Sequence, residues 1–335
     1  MEDNKKKKLI VLTGPTAVGK TDLSINLAKR INGEIISADS IQVYKGLDIG
    51  SAKITKEEMQ GVPHHLIDCY EPSFPFDVTV FQTEAKRLVD EITARGHIPI
   101  VAGGTGFYIQ ALLYDVNFSD EESYGNDHSY RHELEEYLEK TGDIDSLYEK
   151  LKTVDPASTQ VIHKNNHRKV IRALEYYHIH GRPISEHNAE ERVKESVYDS
   201  SYFVLSMNRE RLYSRINKRV DLMKDAGLLE EVMNLRASGC TMDMNSMQAI
   251  GYKELYSALD RIDEGKLGRD IAEQILEDAF EQIKLNTRHF AKRQMTWFRR
   301  EKDVIWLDRD VFSEGYTLEP VETDENILEY IMKTI

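Results

Sequence analysis

The sequence predicts an α/β protein: a parallel sheet wound with helices, interrupted by a helical insertion and followed by a helix-rich carboxyl-terminal part. Three observations lead there. A short apolar run is followed by a glycine-punctuated loop and then by apolar residues at helical spacing. That strand-to-helix alternation recurs through the first hundred residues. From about residue 118 it gives way to a long stretch with helical spacing and no strand pattern.

Taken in order, residues 9–13 are β-prone and uninterrupted, 14–19 form the loop, and 21–31 carry Leu23, Ile25, Leu27, Ala28 and Ile31 at helical spacing. A second buried strand is expected at 34–37. Past a loop-rich stretch containing Pro63, Pro72 and Pro75, helical periodicity runs over 80–94, and 98–102 reads as a third strand ending in Gly103-Gly104. Residues 118–150 hold 11 acidic residues against 3 basic ones, which marks a solvated helical insertion. Helical patterning continues through 172–180, stops at Gly181-Arg182-Pro183, and yields near 202–206 to another β-like run. There the chain is expected to return to the core. Long helices over 209–237 and 269–299 precede a last strand at 304–307. The expected organisation is a core of residues 1–117 and 200–335 with an insertion domain at 118–199.

A chain of 335 residues is about two domains' worth, enough for a large core plus an inserted unit. With 44 basic and 58 acidic side chains, the net charge is −14, so the surface as a whole repels nucleic acid and anionic membrane. Any binding to RNA must be local. The composition, 40% hydrophobic and 30% charged, argues against both a disordered chain and an integral membrane protein. Cys69 and Cys240 are too few for a disulfide framework or a thiolate zinc site. The run Lys5 to Lys8 before Leu9 is not followed by an apolar stretch long enough for a signal peptide, and a cytoplasmic location is expected. His64 and His65 lie near Asp68 but without a wider ligand cluster, so a structural pair is expected.

Gly14-Pro15-Thr16-Ala17-Val18-Gly19-Lys20-Thr21 satisfies the pattern G-x-x-x-x-G-K-[ST]. Its glycines let backbone N–H groups and a helix N-terminus face an anion, Lys20 adds positive charge, and the Thr21 hydroxyl suits a magnesium ion. A preceding strand and a following helix supply the needed context, so the core is expected to be P-loop NTPase-like. The reaction stays open, because kinases, NTPases and GTPases share the loop. An N-K-x-D base-recognition motif is missing, since Asn217-Lys218 is followed by Arg219-Val220. The strand at 98–102 ends in glycines rather than a Walker B aspartate, which weakens an ATPase motor. Asp39 follows the second strand, where ligands bind in open α/β sheets, and suits a general base or a magnesium partner. A turn-capping role fits its position equally well.

The blocks GPTAVGKT, ISADSIQVYKGLDIGSAK (36–53), VPHHLID (62–68), IVAGGTGFYIQALL (100–113), AIGYKEL (249–255) and NTRHFAKRQMTWFRR (286–300) together resemble the bacterial tRNA dimethylallyltransferases. The similarity spans nearly the whole chain in the family's order. It implies transfer of a dimethylallyl group from dimethylallyl diphosphate to the exocyclic amine of adenosine 37, beside the tRNA anticodon. The cradle then holds a leaving group rather than a transferred phosphate, which reconciles the loop with the missing Walker B.

By the same resemblance Asp39 is the general base, Thr105 lines the channel near the target base, and Arg219 is tied to the diphosphate together with Lys20. Arg215 and Arg219 are four apart, so a helix puts both on one face, facing either an anion or carboxylates such as Asp221 and Glu230. The family's tRNA-contacting segments match Asp39, Ser40, Ile41 and Gln42; Arg168, Lys169 and Arg172; Gln248, Gly251, Tyr252 and Lys253; and Asn286, Arg288, His289, Lys292 and Arg293, with Arg131 in the insertion. Independently, residues 284–302 contain seven basic side chains and one acidic, with Arg288 and Lys292, and His289 and Arg293, at i and i+4. A second cluster comprises His163, Lys164, His167, Arg168, Lys169 and Arg172. Phe290, Trp297 and Phe298 are placed to stack on bases or to serve the core. Magnesium is the expected cofactor, tRNA and dimethylallyl diphosphate the expected partners, and a monomer the expected state. The competing readings are a small-molecule P-loop kinase, a prenyltransferase acting on free adenine nucleotides, and a nucleotide-regulated RNA-binding module.

Overall fold

A computed structural model describes residues 6–116, 129–265, 268–314 and 320–335, with the backbone alone at 191–193. Six strands, β1 (Lys8–Thr13), β2 (Gly33–Ala38), β3 (His64–His65), β4 (Ile98–Gly103), β5 (Asp199–Ser206) and β6 (Val304–Asp308), form one sheet in the order β3-β2-β4-β1-β5-β6. Every neighbouring pair is parallel. The central β1 shows why its sequence lacks alternation: Leu9, Ile10, Val11 and Leu12 all have no exposed surface, because helices cover both faces of a parallel sheet. β3 is only two residues long and carries no hydrophobic run, so the sequence does not announce it.

Helices α1 (Lys20–Ile31), α2 (Val78–Ala94) and α3 (Gly106–Leu113) follow β1, precede β4 and follow β4. Two compact units divide the chain, one of residues 1–113 and 197–335, the other of residues 114–196. The second unit holds α4 (Ser129–Thr141), α5 (Ile144–Val154), α6 (Pro156–Thr159), α7 (His167–His180) and α8 (Ile184–Val193), and has no strand among its described residues. Leu134, Leu147, Leu151, Val170 and Leu174 form its core. Asp155, with no exposed surface, accepts from the N–H and hydroxyl of Ser158 at 3.0 and 2.6 Å and of Ser185 at 3.1 and 2.5 Å, joining α6 to the start of α8. The boundary expected at Phe118, and Asp120, Glu121, Glu122 and Asp127 of the acidic stretch, lie outside the described residues.

Back in the first unit come α9 (Arg209–Asp225), α10 (Leu228–Ala237), α11 (Tyr252–Gly265), α12 (Arg269–Phe298), α13 (Arg309–Phe312) and α14 (Pro320–Thr334). The single helix expected over 209–237 is therefore two. Gly227 adopts φ 97°, a left-handed conformation that ends one helix and starts the next. One core cluster joins Ile10, Leu12, Ile35, Ile100 and Phe203 of the sheet to Leu23 and Leu27 of α1, Ile216 of α9, and Ile327 and Ile331 of α14. Among the described residues no helix is long and apolar enough to cross a membrane.

The amino-terminal edge of the sheet is held by one carboxylate. Glu34, buried at the start of β2, accepts from Arg95 at 3.0 and 2.7 Å and is 2.7 Å from a ring nitrogen of both His65 and His97. His65 thus has a structural partner on a neighbouring strand. These bonds, Arg95's first, pull the Glu34 carboxyl down from 4.5 to about 2 against the opposing effect of burial. A depressed folded-state pKa stabilises above 4.5, and that contribution is lost as pH falls toward 2. Glu34→Gln is expected to cost about 3 kcal/mol at pH 7. Urea unfolding of both proteins at pH 7 and pH 4 checks this, since the gap between them should narrow at the lower pH.

Candidate active site

The carboxyl ends of β1, β2 and β4 lie side by side and carry the phosphate loop, Asp39 and Thr105. This is where an open parallel sheet binds ligands. Gly19 starts α1 with φ 96°, a conformation that favours glycine, and no side chain caps the helix. The first amides of α1 are therefore left for an anion. Lys20 reaches back to donate to the carbonyls of Gly14 at 2.9 Å and Pro15 at 2.8 Å, and Arg215 Nε donates to the Ala17 carbonyl at 2.8 Å.

Cations crowd this loop. Burial, then Arg219, then the opposing pull of Asp39 bring the Lys20 ammonium down from 10.5 to about 7. Burial also lowers Arg219, with Asp39 opposing and Arg215 adding, and lowers Arg215, with Arg309 and Arg211 beside it. Lys20, Arg219 and Asp39 are thus mutual electrostatic neighbours. Of the carboxylates offered for the arginine pair, Asp221 is 2.6 Å from Lys284, on α12, whereas Asp324 and Asp22 oppose the lowering of Arg215. A Cβ on Gly19 would sit 3.2 Å from a guanidinium nitrogen of Arg309 and 3.7 Å from one of Arg215, so the outer side of the loop is lined with positive charge.

Asp39 caps its turn with one carboxylate oxygen only. Oδ1 accepts from the N–H groups of Ile41 at 2.9 Å and Gln42 at 3.2 Å, capping the turn, while Oδ2 makes no hydrogen bond among the described residues. Fixing one oxygen orients the other. Gln42 in turn donates to the Ser51 and Ala52 carbonyls at 3.3 Å. The Thr105 N–H donates to the Ala38 carbonyl at 3.2 Å, which sets Thr105 beside the end of β2. Thr21 is exposed in the first turn of α1.

On α12, His289, Lys292 and Arg293 are exposed, and Arg293 lies over the Phe290 ring at 5.7 Å. Arg288 is part-buried and donates to Asn217 at 2.6 Å. A family model described as IPP transferase matches residues 42–301, from just past Asp39 through this basic helix. The chain belongs to the IPP transferase family. A tRNA dimethylallyltransferase of Lachnoclostridium phytofermentans is 52% identical over 310 residues, 92% of this chain and 94% of that protein. The full-length tRNA isopentenylpyrophosphate transferase of Bacillus halodurans is 43% identical with a TM-score of 0.67, over 98% of this chain and 96% of that one. A eukaryotic dimethylallyltransferase, captured in crystals acting on tRNA, is 33% identical with a TM-score of 0.74, over 90% of this chain and 74% of that one.

For a member of the IPP transferase family, the remaining residues singled out in the sequence fall into two groups. Gln248 donates to the Met242 carbonyl, Gly251 turns at φ 102° and donates to Glu254 at 2.8 Å, and Asn286 donates to the same carboxylate at 2.7 Å, with Lys253 alongside. Tyr252 and Phe298 have no exposed surface. Neither side chain offers a face to RNA. Tyr252 instead donates its hydroxyl at 2.7 Å to Glu231, whose carboxylate also accepts from the backbone of Asp48, Ile49 and Gly50 at 2.7–3.1 Å. That braces the loop running on from Asp39. In the second unit, Arg168, Lys169 and Arg172 are exposed along α7, whereas Arg131 donates to Glu175 at 2.9 and 2.5 Å.

Sequence reasoning missed Gln294, Glu231 and Arg309. Gln294 had a signal: a polar residue inside the buried stripe Ala291, Gln294, Phe298 of an amphipathic helix. Glu231 and Arg309 look like ordinary surface charges, and only tertiary contact distinguishes them.

Proposed function

We propose that this member of the IPP transferase family transfers a dimethylallyl group from dimethylallyl diphosphate to the N6 amine of adenosine 37 in the tRNA anticodon stem-loop, releasing diphosphate. The observation that carries the reading is the meeting of Lys20 and of Arg219, which comes from α9, with the half-free Asp39 carboxylate at the end of β2, where the Thr105 N–H also bonds to Ala38. An adenine amine is a weak nucleophile, its lone pair delocalised into the ring. Its nitrogen forms the bond to C1 of the allyl group, the C1–O bond breaks with its electron pair leaving on diphosphate, and the amine proton passes to Asp39 Oδ2. Lys20, Arg219, Arg215 and the backbone N–H groups of Gly19, Lys20 and Thr21, where α1 begins, bind the oxygens on which charge develops. Thr105 lines the position of the base.

Among the described residues no group of three His, Cys, Asp or Glu side chains gathers to hold a metal ion. Magnesium fits a site completed by the substrate, with the Thr21 hydroxyl as the protein oxygen and diphosphate supplying others. The chemistry a bound ion supplies there is neutralisation of the departing diphosphate. We place the reaction in a cytoplasmic monomer. The test is the mass of unmodified tRNA after incubation with protein, magnesium and dimethylallyl diphosphate, followed by digestion. One dimethylallyl group on adenosine 37 is expected; ATP turnover with a small acceptor and no such gain would make the loop a kinase cradle.

The tRNA phosphates are assigned to the α12 stripe on the strength of its exposed cations. Lys292→Ala with Arg293→Ala is expected to weaken tRNA binding uniformly across sequences. The salt slope should flatten by roughly 0.8 per lost contact. Affinity measured from low to moderate salt checks this, and an unchanged slope would place the RNA elsewhere.

A further inference from the structure

We infer that Gln294 is a positioning residue that fixes the distance between the diphosphate cradle and the loop facing the target adenosine. Its side chain is 6% exposed, between Ala291 and Phe298 on the inward face of α12. Oε1 accepts from the Thr16 N–H at 2.9 Å, and Nε2 donates to the Gly104 carbonyl at 2.9 Å. The two partners dictate the amide's orientation, since an N–H needs an acceptor and a carbonyl needs a donor. One side chain thereby bridges two loops about ninety residues apart in sequence, one holding the leaving group and the other carrying Thr105.

The fit is tight on both sides. A Cβ on Gly104 would sit 2.3 Å from Gln294 Nε2, and a Cβ on Gly106 would sit 2.3 Å from Trp297 on the same helix. Glycine at these places lets the loop approach α12 closely enough for the bridge to form. Among common side chains of this length, leucine and methionine offer neither bond, glutamate only the acceptor, and lysine only the donor. Gln294 also lies one residue past Arg293 on the helix assigned to tRNA phosphates. The spacing of the reacting carbon and nitrogen is then set from the element that orients the RNA.

The inference rests on the proposed reaction, and the experiment separates the two. Single-turnover transfer to tRNA, with both substrates saturating, is measured for wild type, Gln294→Leu and Gln294→Asn, alongside KM for each substrate and the melting temperature. Asparagine keeps the polarity but is one methylene too short to reach both loops, so it carries the test if the leucine variant misfolds. A misplacement of reacting groups is expected to slow the single-turnover rate on the order of 10- to 100-fold. KM values should stay within about threefold. A rate within twofold of wild type, or a loss confined to KM or to melting temperature, overturns the positioning role while leaving the proposed reaction standing. A wild-type protein that transfers nothing to tRNA overturns both.

Discussion

Asp39→Asn is expected to slow transfer by about three orders of magnitude while leaving tRNA affinity within about threefold. The asparagine is chosen because it keeps what the fold needs. Its Oδ1 still accepts from the Ile41 and Gln42 amides, so the turn and the loop braced through Gln42 stay in place. What disappears is the basic oxygen at Oδ2, the group able to take a proton from the adenine amine. Asp39→Ala would remove the cap as well and would mix a folding defect with a chemical one. Single-turnover rates together with equilibrium tRNA binding distinguish the cases. A rate within tenfold of wild type would remove Asp39 as the base and reduce it to a turn cap.

How much of this was legible before the fold depends on whether the cause is local. The phosphate loop was, because Gly14 and Gly19 at fixed spacing before Lys20 answer to a backbone requirement that sequence states directly. Most of the sheet was, because its longer strands, buried on both faces, read as apolar runs, whereas the two-residue β3 was not. The position of Asp39 followed from its strand, but the use of its two oxygens did not: only the hydrogen bonds show that the turn cap occupies Oδ1 and leaves Oδ2 for the proposed proton transfer. Less was legible where partners are distant. Glu231 is one of many acidic residues, and nothing near it in sequence says that three amides and Tyr252 converge on it. The same Tyr252 was assigned to tRNA because its block is shared with a family, whereas burial gives it a bracing role. Gly227 lies in a segment with helical spacing on both sides, and spacing alone cannot show a break whose cause is one backbone angle.

Lys20→Met is expected to weaken binding of a prenyl diphosphate about 100-fold, and the two proteins should differ in how that binding responds to pH. A buried charge-assisted bond contributes up to about 3 kcal/mol, which corresponds to the stated factor. The pH argument starts from the free protein, where burial and Arg219 hold Lys20 at about 7 and its amine donates to two loop carbonyls. A neutral amine has two N–H groups, enough for both. A diphosphate placed in the cradle favours the ammonium, so above pH 7 binding takes up a proton and the affinity falls as pH rises, by up to tenfold per unit for this group. The sign for folding is the reverse: the free protein gains stability between pH 7 and 10.5, where the unfolded chain holds a proton that the folded one does not. Titration calorimetry at pH 8 in two buffers of different ionisation enthalpy measures the proton directly. The ligand's own titration is common to both proteins, so the difference between them belongs to Lys20. Equal proton uptake by wild type and Lys20→Met would mean that the lysine is already charged in the empty cradle, and that Asp39 outweighs burial there.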